Sequence, residues 1–120
     1  MRFTDSHEWV RLNGKMATVG VSAYAQGELG DIVYVELPKV GRFIKKGDDA
    51  AVLESTKAAA DVYSPIDGEI VEVNERLKTE SGLINLSPEE EGWIFKLSIK
   101  DLSQWEDLMD LNTYHQMIGR

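Results

Sequence analysis

The sequence LESTKAAADVYSP, residues 53–65, decides the fold class. Two runs with strand character, Ala51–Glu54 and Asp61–Tyr63, enclose a centre of small and polar residues, which predicts a β-hairpin with Lys57 at its tip. Thr56 and three alanines stand beside Lys57, so no bulky side chain shields its amine. The pattern therefore predicts a hairpin that presents one lysine to an approaching enzyme.

The chemistry of Lys57 is that of an acceptor rather than of a catalyst. A lysine forms a Schiff base only when burial or cationic neighbours hold its amine uncharged. Here two acids, Glu54 and Asp61, stand three residues before and four residues after it, and they favour the charged amine. A lysine that another enzyme modifies fits this setting. The alternative is an ordinary exposed turn lysine, the commonest kind, which spacing alone does not exclude.

Short strands joined by glycine turns extend the pattern along the chain. The chain has ten glycines, and their spacing predicts many short antiparallel strands and little helix. Asn13-Gly14 is expected to form a two-residue type I′ turn. In the strand 32–37, alternation predicts that Val33, Val35 and Leu37 face the core. The predicted strands are His7–Leu12, Met16–Val21, Ile32–Leu37, Ala51–Glu54, Asp61–Tyr63, Glu69–Val73 and Trp93–Ile99.

Two of these strands lie in similar segments. GDIVYVEL, residues 30–37, and DGEIVEVN, residues 67–74, share a turn glycine followed by alternating branched apolar residues. Similar strands at a fixed offset are typical of a quasi-symmetric β-sandwich, although two segments alone are weak evidence for a repeat.

Helices are predicted at two places. Ser22 is expected to cap a short helix over SAYAQGEL that stops at Gly30. Near the end of the chain, Ser103 to Glu106 has the spacing of a capping box, and a second short turn is predicted from Thr113. In the helical segment predicted from Ser103, the apolar positions Trp105, Leu108 and Met109 share one face. We expect this tail to cover a sheet; the alternative is a helix that docks a partner.

The chain has 120 residues, which predicts a single domain over 1–120 with a β-sandwich core at about 5–100 and a helical segment at about 101–118.

Composition excludes several functions. Acids outnumber bases by 21 to 13, and the formal charge of −8 argues against nucleic acid and anionic membranes as partners. The absence of cysteine excludes disulfides, thiolate metal sites and cysteine nucleophiles.

The N-terminal sequence and the short apolar runs predict where the protein works. No apolar run exceeds four residues, far below the ~20 that span a bilayer. MRFTDSHEWVRL, residues 1–12, has the features of neither a secretory signal nor an organellar presequence. We expect a cytoplasmic bacterial protein, or a mitochondrial matrix protein if a presequence has been removed.

Motifs along essentially the whole chain resemble the H-protein family of the glycine cleavage system. Their order and spacing, rather than any one of them, carry the resemblance. The stretches are SHEWV (6–10), ATVG (17–20), YAQ (24–26), LGDIVYVELP (29–38), VG (40–41), KG (46–47), ESTKAAAD (54–61), VYSP (62–65), GEIVEVN (68–74), LIN (83–85) and EGW (91–93).

The resemblance implies a fold and a carrier role. The fold is mainly β, a lipoyl-domain β-sandwich (barrel-sandwich hybrid) with short flanking helices and a C-terminal helix. Lys57 is implied to hold lipoate in amide linkage, attached by a lipoate ligase or a lipoyl/octanoyl transferase that recognises Glu54 and Asp61. The chain itself is then a non-catalytic carrier, expected to be a monomer.

Three enzymes are implied as partners. A pyridoxal-phosphate glycine decarboxylase (P protein) loads the aminomethyl group of glycine onto the carrier. A tetrahydrofolate-dependent aminomethyltransferase (T protein) removes it, and dihydrolipoyl dehydrogenase (L protein) reoxidises the dithiol. The alternative is an H-like protein that relays lipoate to 2-oxoacid dehydrogenases.

The resemblance also implies a cleft for the loaded arm, in which Ser6, Glu8 and Asp61 contact its amine. The chemistry is sensible, because an ammonium donates charge-assisted hydrogen bonds to carboxylates and hydroxyls. In the alternative interpretation, Asp61 closes a turn and Glu8 is a solvated strand residue. His7 is expected to pack or to hydrogen-bond locally rather than to bind a metal.

Some positions depart from the usual family pattern. Thr56 stands where valine commonly precedes the lysine, and Ala60 where serine commonly precedes the aspartate. Glu89-Glu90 replaces a more aromatic pair. None of these departures changes Lys57.

Overall fold

Two antiparallel sheets enclose one apolar core in the computed structural model, which describes residues 1–119. The larger sheet has the strand order β1-β2-β3-β9-β8-β5 and the smaller has β4-β6-β7. The elements in chain order are β1 Arg2–Phe3, β2 Glu8–Asn13, β3 Met16–Val21, α1 Ala23–Leu29, β4 Ile32–Glu36, β5 Phe43–Ile44, β6 Asp49–Ser55, β7 Ala59–Tyr63, β8 Gly68–Val73, a 3₁₀ turn Glu75–Lys78, α2 Leu83–Leu86, β9 Phe95–Ser98, α3 Ser103–Glu106 and α4 Leu111–Met117. The prediction of a mainly β fold with short helices is confirmed.

The core draws on both sheets. Val10 and Leu97 from the larger sheet pack in the same cluster as Val35, Leu53 and Val62 from the smaller one. The two similar segments of the sequence lie in different sheets, since β4 belongs to the smaller sheet and β8 to the larger. All seven predicted strands are present within a few residues; the two-residue strands β1 and β5 escaped prediction because they are too short to show alternation.

The prediction for the face of β4 is wrong at Val33 and correct at Val35 and Leu37, which both pack in the core cluster. Ile32 and Val35 are buried, whereas Val33 is 58 % exposed. The cause is an irregularity in the pairing of β4 with β6 between Ile32 and Tyr34. An extra residue in one strand reverses which side chains face the core, and simple alternation misses it.

The predicted type I′ turn at Asn13-Gly14 is also wrong. Asn13 pairs with Met16, so the two turn residues are Gly14 and Lys15. Gly14 has φ 63° and Lys15 does not have a positive φ. A type I′ turn needs positive φ at both positions, so this hairpin has the type II′ pattern, with glycine first.

Helix α1 forms as predicted. The Ser22 side chain accepts a hydrogen bond from the Ala25 amide at its start, and Gly30, with φ 80°, ends it. Glycine adopts this conformation at little cost, whereas a side chain would be strained.

The C-terminal segment differs from the prediction in its caps. The predicted capping box does not form: α3 begins after Leu102, and the Ser103 amide donates to Oδ1 of Asp101 at 2.9 Å. Helix α4 begins at Leu111, earlier than predicted, because the Asp110 side chain accepts from the Thr113 amide. An aspartate therefore accepts a backbone amide near the start of each helix, where the sequence predicted Ser103 as the cap of the first and Thr113 as the start of the second.

The tail covers a second apolar cluster, formed by Phe3, Trp9 and Tyr114. Phe3 and Met109 exchange two backbone hydrogen bonds of 2.8 and 2.9 Å, which join β1 to the segment before α4. The prediction that the tail covers a sheet is confirmed. Among residues 1–119, no helix has the length and apolar character needed to cross a membrane.

Candidate functional site

The tip of the β6–β7 hairpin is a tight turn closed by Ser55. The Ser55 amide donates to the Ala58 carbonyl at 2.8 Å. The Ser55 hydroxyl oxygen accepts from the amides of Lys57, at 3.1 Å, and Ala58, at 3.0 Å. These bonds hold the backbone at Lys57 in one conformation. Sequence reasoning missed this role, although a serine two residues before a turn residue is a known turn-forming signal.

Lys57 is exposed and lies against the end of α1. Its Nζ donates to the Glu28 carbonyl at 3.0 Å, and the neighbouring Thr56 amide donates to the Asp31 carbonyl at 3.1 Å. A Cβ at Gly30 would lie 3.2 Å from Cε of Lys57. The absence of a side chain at Gly30 thus leaves room for the lysine chain to cross the helix end.

Helix α1 is itself fixed at both ends. At its start, the Ala23 amide donates to Oε2 of Glu89 at 2.8 Å, in addition to the Ser22 cap. A carboxylate at this end also interacts favourably with the helix dipole. The departure from the family pattern at Glu89 therefore has a local structural role.

Beside the lysine lies a cleft of about 360 Å³ between the edge of β7, the segment before β2, and α1. Ser6, Glu8 and Asp61 all line it, so the structure brings the three predicted residues together. Glu28 on α1 lines the same cleft, and its backbone carbonyl accepts the hydrogen bond from Nζ of Lys57. Its apolar lining comes from Val21, Ala25, Leu29, Leu53, Ala60 and Val62.

Glu8 is a buried carboxylate in this cleft, with 1 % of its surface exposed. Its Oε1 accepts from the hydroxyls of Thr4 and Ser6, each at 2.6 Å, and its Oε2 accepts from the Tyr63 amide at 3.2 Å. Burial raises the pKa of Glu8 above its ordinary value, although the hydrogen bonds oppose this shift. The alternative interpretation of Glu8 as a solvated strand residue is excluded.

Asp61 and Glu54 share the outer face of the smaller sheet. Val52 pairs with Asp61, and Glu54 pairs with Ala59, which makes the two acids diagonal neighbours. Both are exposed. Asp61 lies within β7 at the rim of the cleft rather than closing a turn.

His7 separates Ser6 from Glu8 in an unusual conformation. Its φ is 74°, and among residues 1–119 it is the one non-glycine residue with a positive φ. Its Nδ1 lies 2.8 Å from the hydroxyl of Tyr114, and its ring lies 5.0 Å from that of Tyr24. The expectation that His7 packs or forms a hydrogen bond is confirmed, but its partner Tyr114 lies far away in the sequence rather than nearby. The part of the chain that the structure describes contains no group of three or more His, Cys, Asp or Glu side chains placed to hold a metal ion.

Comparison with known proteins adds to this geometry. The family model described as "Glycine cleavage H-protein" matches residues 1–120. The glycine cleavage system H protein of Thermotoga maritima is 56 % identical over 119 residues, which cover 99 % of this chain and 96 % of that relative. That of Bartonella tribocorum is 51 % identical over 117 residues, covering 98 % of this chain and 96 % of that relative.

A solved structure shares the fold. The crystal structure of a glycine cleavage system H protein from Mycobacterium marinum matches with a TM-score of 0.87 and 29 % sequence identity. The match covers 98 % of this chain and 95 % of that one. The two-sheet architecture is therefore the lipoyl-domain β-sandwich that the sequence predicted.

Proposed function

The chain belongs to the glycine cleavage H-protein family, and from that premise we propose that Lys57 carries lipoate and that the protein serves as a carrier in glycine cleavage. In this proposal the P protein loads the aminomethyl group of glycine, the T protein removes it and the L protein reoxidises the carrier. The chain itself takes no catalytic role. The family match and the lysine hairpin support the proposal.

The single observation that carries it is the presentation of Lys57. The turn closed by Ser55 fixes the backbone, and the flanking Thr56 and Ala58 are exposed and small, which leaves the amine open to a modifying enzyme. Nζ uses one donor toward the Glu28 carbonyl. An acylated Nζ keeps one N–H, so this bond can persist after lipoylation. The residues present therefore fit the group.

The cleft beside Lys57 suits the arm and its cargo. Bound lipoate supplies a dithiolane whose sulfur takes up and releases the aminomethyl group. Leu29, Leu53 and Val62 offer an apolar surface to an aliphatic arm. The carboxylate of Glu8 offers a charge-assisted hydrogen bond to the ammonium of the cargo, and its burial keeps water away from that contact.

Ser6 and Asp61 complete the proposed amine site. Ser6 already donates to Glu8, and its hydroxyl oxygen retains acceptor capacity for an ammonium proton. Asp61 lies at the rim of the same cleft and supplies a second carboxylate. Glu54 and Asp61, diagonal neighbours on the outer face, are the groups that we propose the lipoylating enzyme recognises.

The proposal is tested by the mass of the intact protein before and after incubation with a lipoate ligase, ATP and lipoate. We expect wild type to gain one lipoyl group and Lys57→Ala to gain none. Lys15→Ala is the matched control, because Lys15 is an exposed lysine in the turn of the other hairpin. Failure of wild type to gain the group, or modification of Lys57→Ala, would contradict the proposal.

A further inference from the structure

The hydroxyl of Tyr114 connects two walls of the cleft from outside it. Oη lies 2.6 Å from Oγ of Ser22 and 2.8 Å from Nδ1 of His7. Tyr114 is 2 % exposed and belongs to α4, far from both partners in sequence. A buried hydroxyl with two short hydrogen bonds at this place joins the C-terminal helix to the walls of the cleft.

The position of this hydroxyl is fixed by packing. The ring of Tyr114 stacks on that of Phe3, with centroids 4.3 Å apart and planes 4° from parallel. Phe3 in turn exchanges two backbone hydrogen bonds with Met109, before α4. The hydroxyl therefore has little freedom to follow a movement of either partner.

Each partner controls one wall of the cleft. Ser22 caps α1 through the Ala25 amide at 3.1 Å, and residues of α1 form one wall. His7 stands between Ser6 and Glu8 on the opposite wall, in a left-handed conformation that is costly for a residue with a Cβ. The His7 carbonyl also accepts from the Ser22 amide at 2.9 Å, so the two walls meet at this point.

We propose that Tyr114 is a positioning residue, which holds His7 and Ser22 so that Ser6 and Glu8 face α1 at the separation that the loaded arm requires. The consequence for the arm rests on the proposed function, whereas the effect on the two walls does not. Helix α4 is then a part of the site as well as a cover for the apolar cluster.

The first test uses the unmodified chain. Tyr114→Phe keeps the ring stacked on Phe3 and removes only the hydroxyl; Tyr34→Phe, at an exposed position on the outer face of β4, is the control. We expect Tyr114→Phe to shift the ¹⁵N resonance of Nδ1 of His7 and to speed hydrogen exchange of the Ala25 amide about fivefold. A Tyr114→Phe spectrum and exchange rate equal to those of wild type would overturn the proposal.

The second test uses the lipoylated carrier loaded with a ¹³C-labelled aminomethyl group. We expect Tyr114→Phe to release ammonia about fivefold faster and to shift the methylene carbon toward its position in free aminomethyl-dihydrolipoamide, under conditions where the fold is intact. Equal release from wild type and Glu8→Ala would refute the docking of the arm, which belongs to the proposed function. Faster release from Glu8→Ala together with unchanged release from Tyr114→Phe would refute the positioning role alone.

Discussion

Ser6 and Glu8 form a hydrogen bond of 2.6 Å that joins an exposed hydroxyl to a buried carboxylate. Thr4 adds a second hydroxyl on the same oxygen, also at 2.6 Å. The carboxylate is thus removed from water and yet reached from the cleft through Ser6. This arrangement makes the charge state of Glu8 the quantity on which stability and the proposed binding of the cargo both depend.

The first prediction concerns pH. Because burial raises the pKa of Glu8, the folded state binds its proton more tightly than the unfolded state does. The stabilisation from this group is therefore complete below the ordinary glutamate pKa and is lost as pH rises through the raised value. We expect the free energy of unfolding of Glu8→Gln, relative to wild type, to increase between pH 4 and pH 7.

Urea denaturation at a series of pH values measures this difference. Glu36→Gln is the control, because Glu36 is an exposed glutamate on β4. A difference between Glu8→Gln and wild type that stays constant across the range would show that Glu8 titrates alike in the folded and unfolded chains.

The second prediction concerns the turn at the lysine. Ser55→Ala removes the acceptor for the amides of Lys57 and Ala58, and we expect a loss of about 1 kcal/mol in the free energy of unfolding. We also expect slower lipoylation, because the lysine is presented on a looser backbone. Ser98→Ala, an exposed serine in β9, should change neither quantity. A normal lipoylation rate for Ser55→Ala would show that the modifying enzyme does not need the ordered turn.

The third prediction compares two glycines of α1: Gly30, which ends the helix with a positive φ, and Gly27, which lies inside the helix. Gly30→Ala places a Cβ at φ 80° and 3.2 Å from Cε of Lys57, and we expect it to destabilise the fold by about 1–3 kcal/mol. Gly27→Ala lies within α1 in open space, and it should stabilise by up to about 1 kcal/mol. Urea denaturation of both variants checks the pair. Equal effects would mean that the end of α1 is not constrained as described.

The hairpin and helix α1 could be predicted because their signals are local, whereas the two-sheet fold is implied by the family resemblance. A strand, a cap and a turn each show within about ten residues of sequence. The exposure of Val33 in β4 could not be predicted, since the irregularity between Ile32 and Tyr34 depends on pairing with β6. The turn at Gly14 also depends on register, which Asn13-Gly14 alone does not determine.

The features of the candidate site also divide into those that the sequence predicts and those that it does not. Lys57 and its flanking acids follow from their own segment, and Ser6 and Glu8 came from the resemblance to a family. The burial of Glu8 and the contact of Tyr114 with His7 join residues from distant parts of the chain. No local pattern marks such contacts, because the hydrogen bond from a β7 amide to Glu8 requires β7 to pack beside β2, and the His7 contact requires α4 to pack beside β1.

The last prediction separates two roles that we propose for the acidic residues near Lys57. Glu54 and Asp61 share the outer face of the smaller sheet, while only Asp61 also borders the cleft that contains Glu8. If the lipoylating enzyme recognises the outer face, Glu54→Gln and Asp61→Asn should both slow lipoylation. If Asp61 also contacts the amine of the loaded arm, only Asp61→Asn should speed the release of ammonia.

Glu36→Gln is the matched control for both measurements. Glu36 pairs with Val52, which pairs with Asp61 on its other side, so the substitution removes the same charge from the same row of the sheet. Slowing of lipoylation by all three variants to the same extent would indicate general attraction to an acidic surface, because a specific contact depends on which carboxylate is lost. Faster release of ammonia from Glu54→Gln would contradict the assignment of the amine contact to Asp61, since by register Glu54 lies nearer the hairpin tip and does not line the cleft.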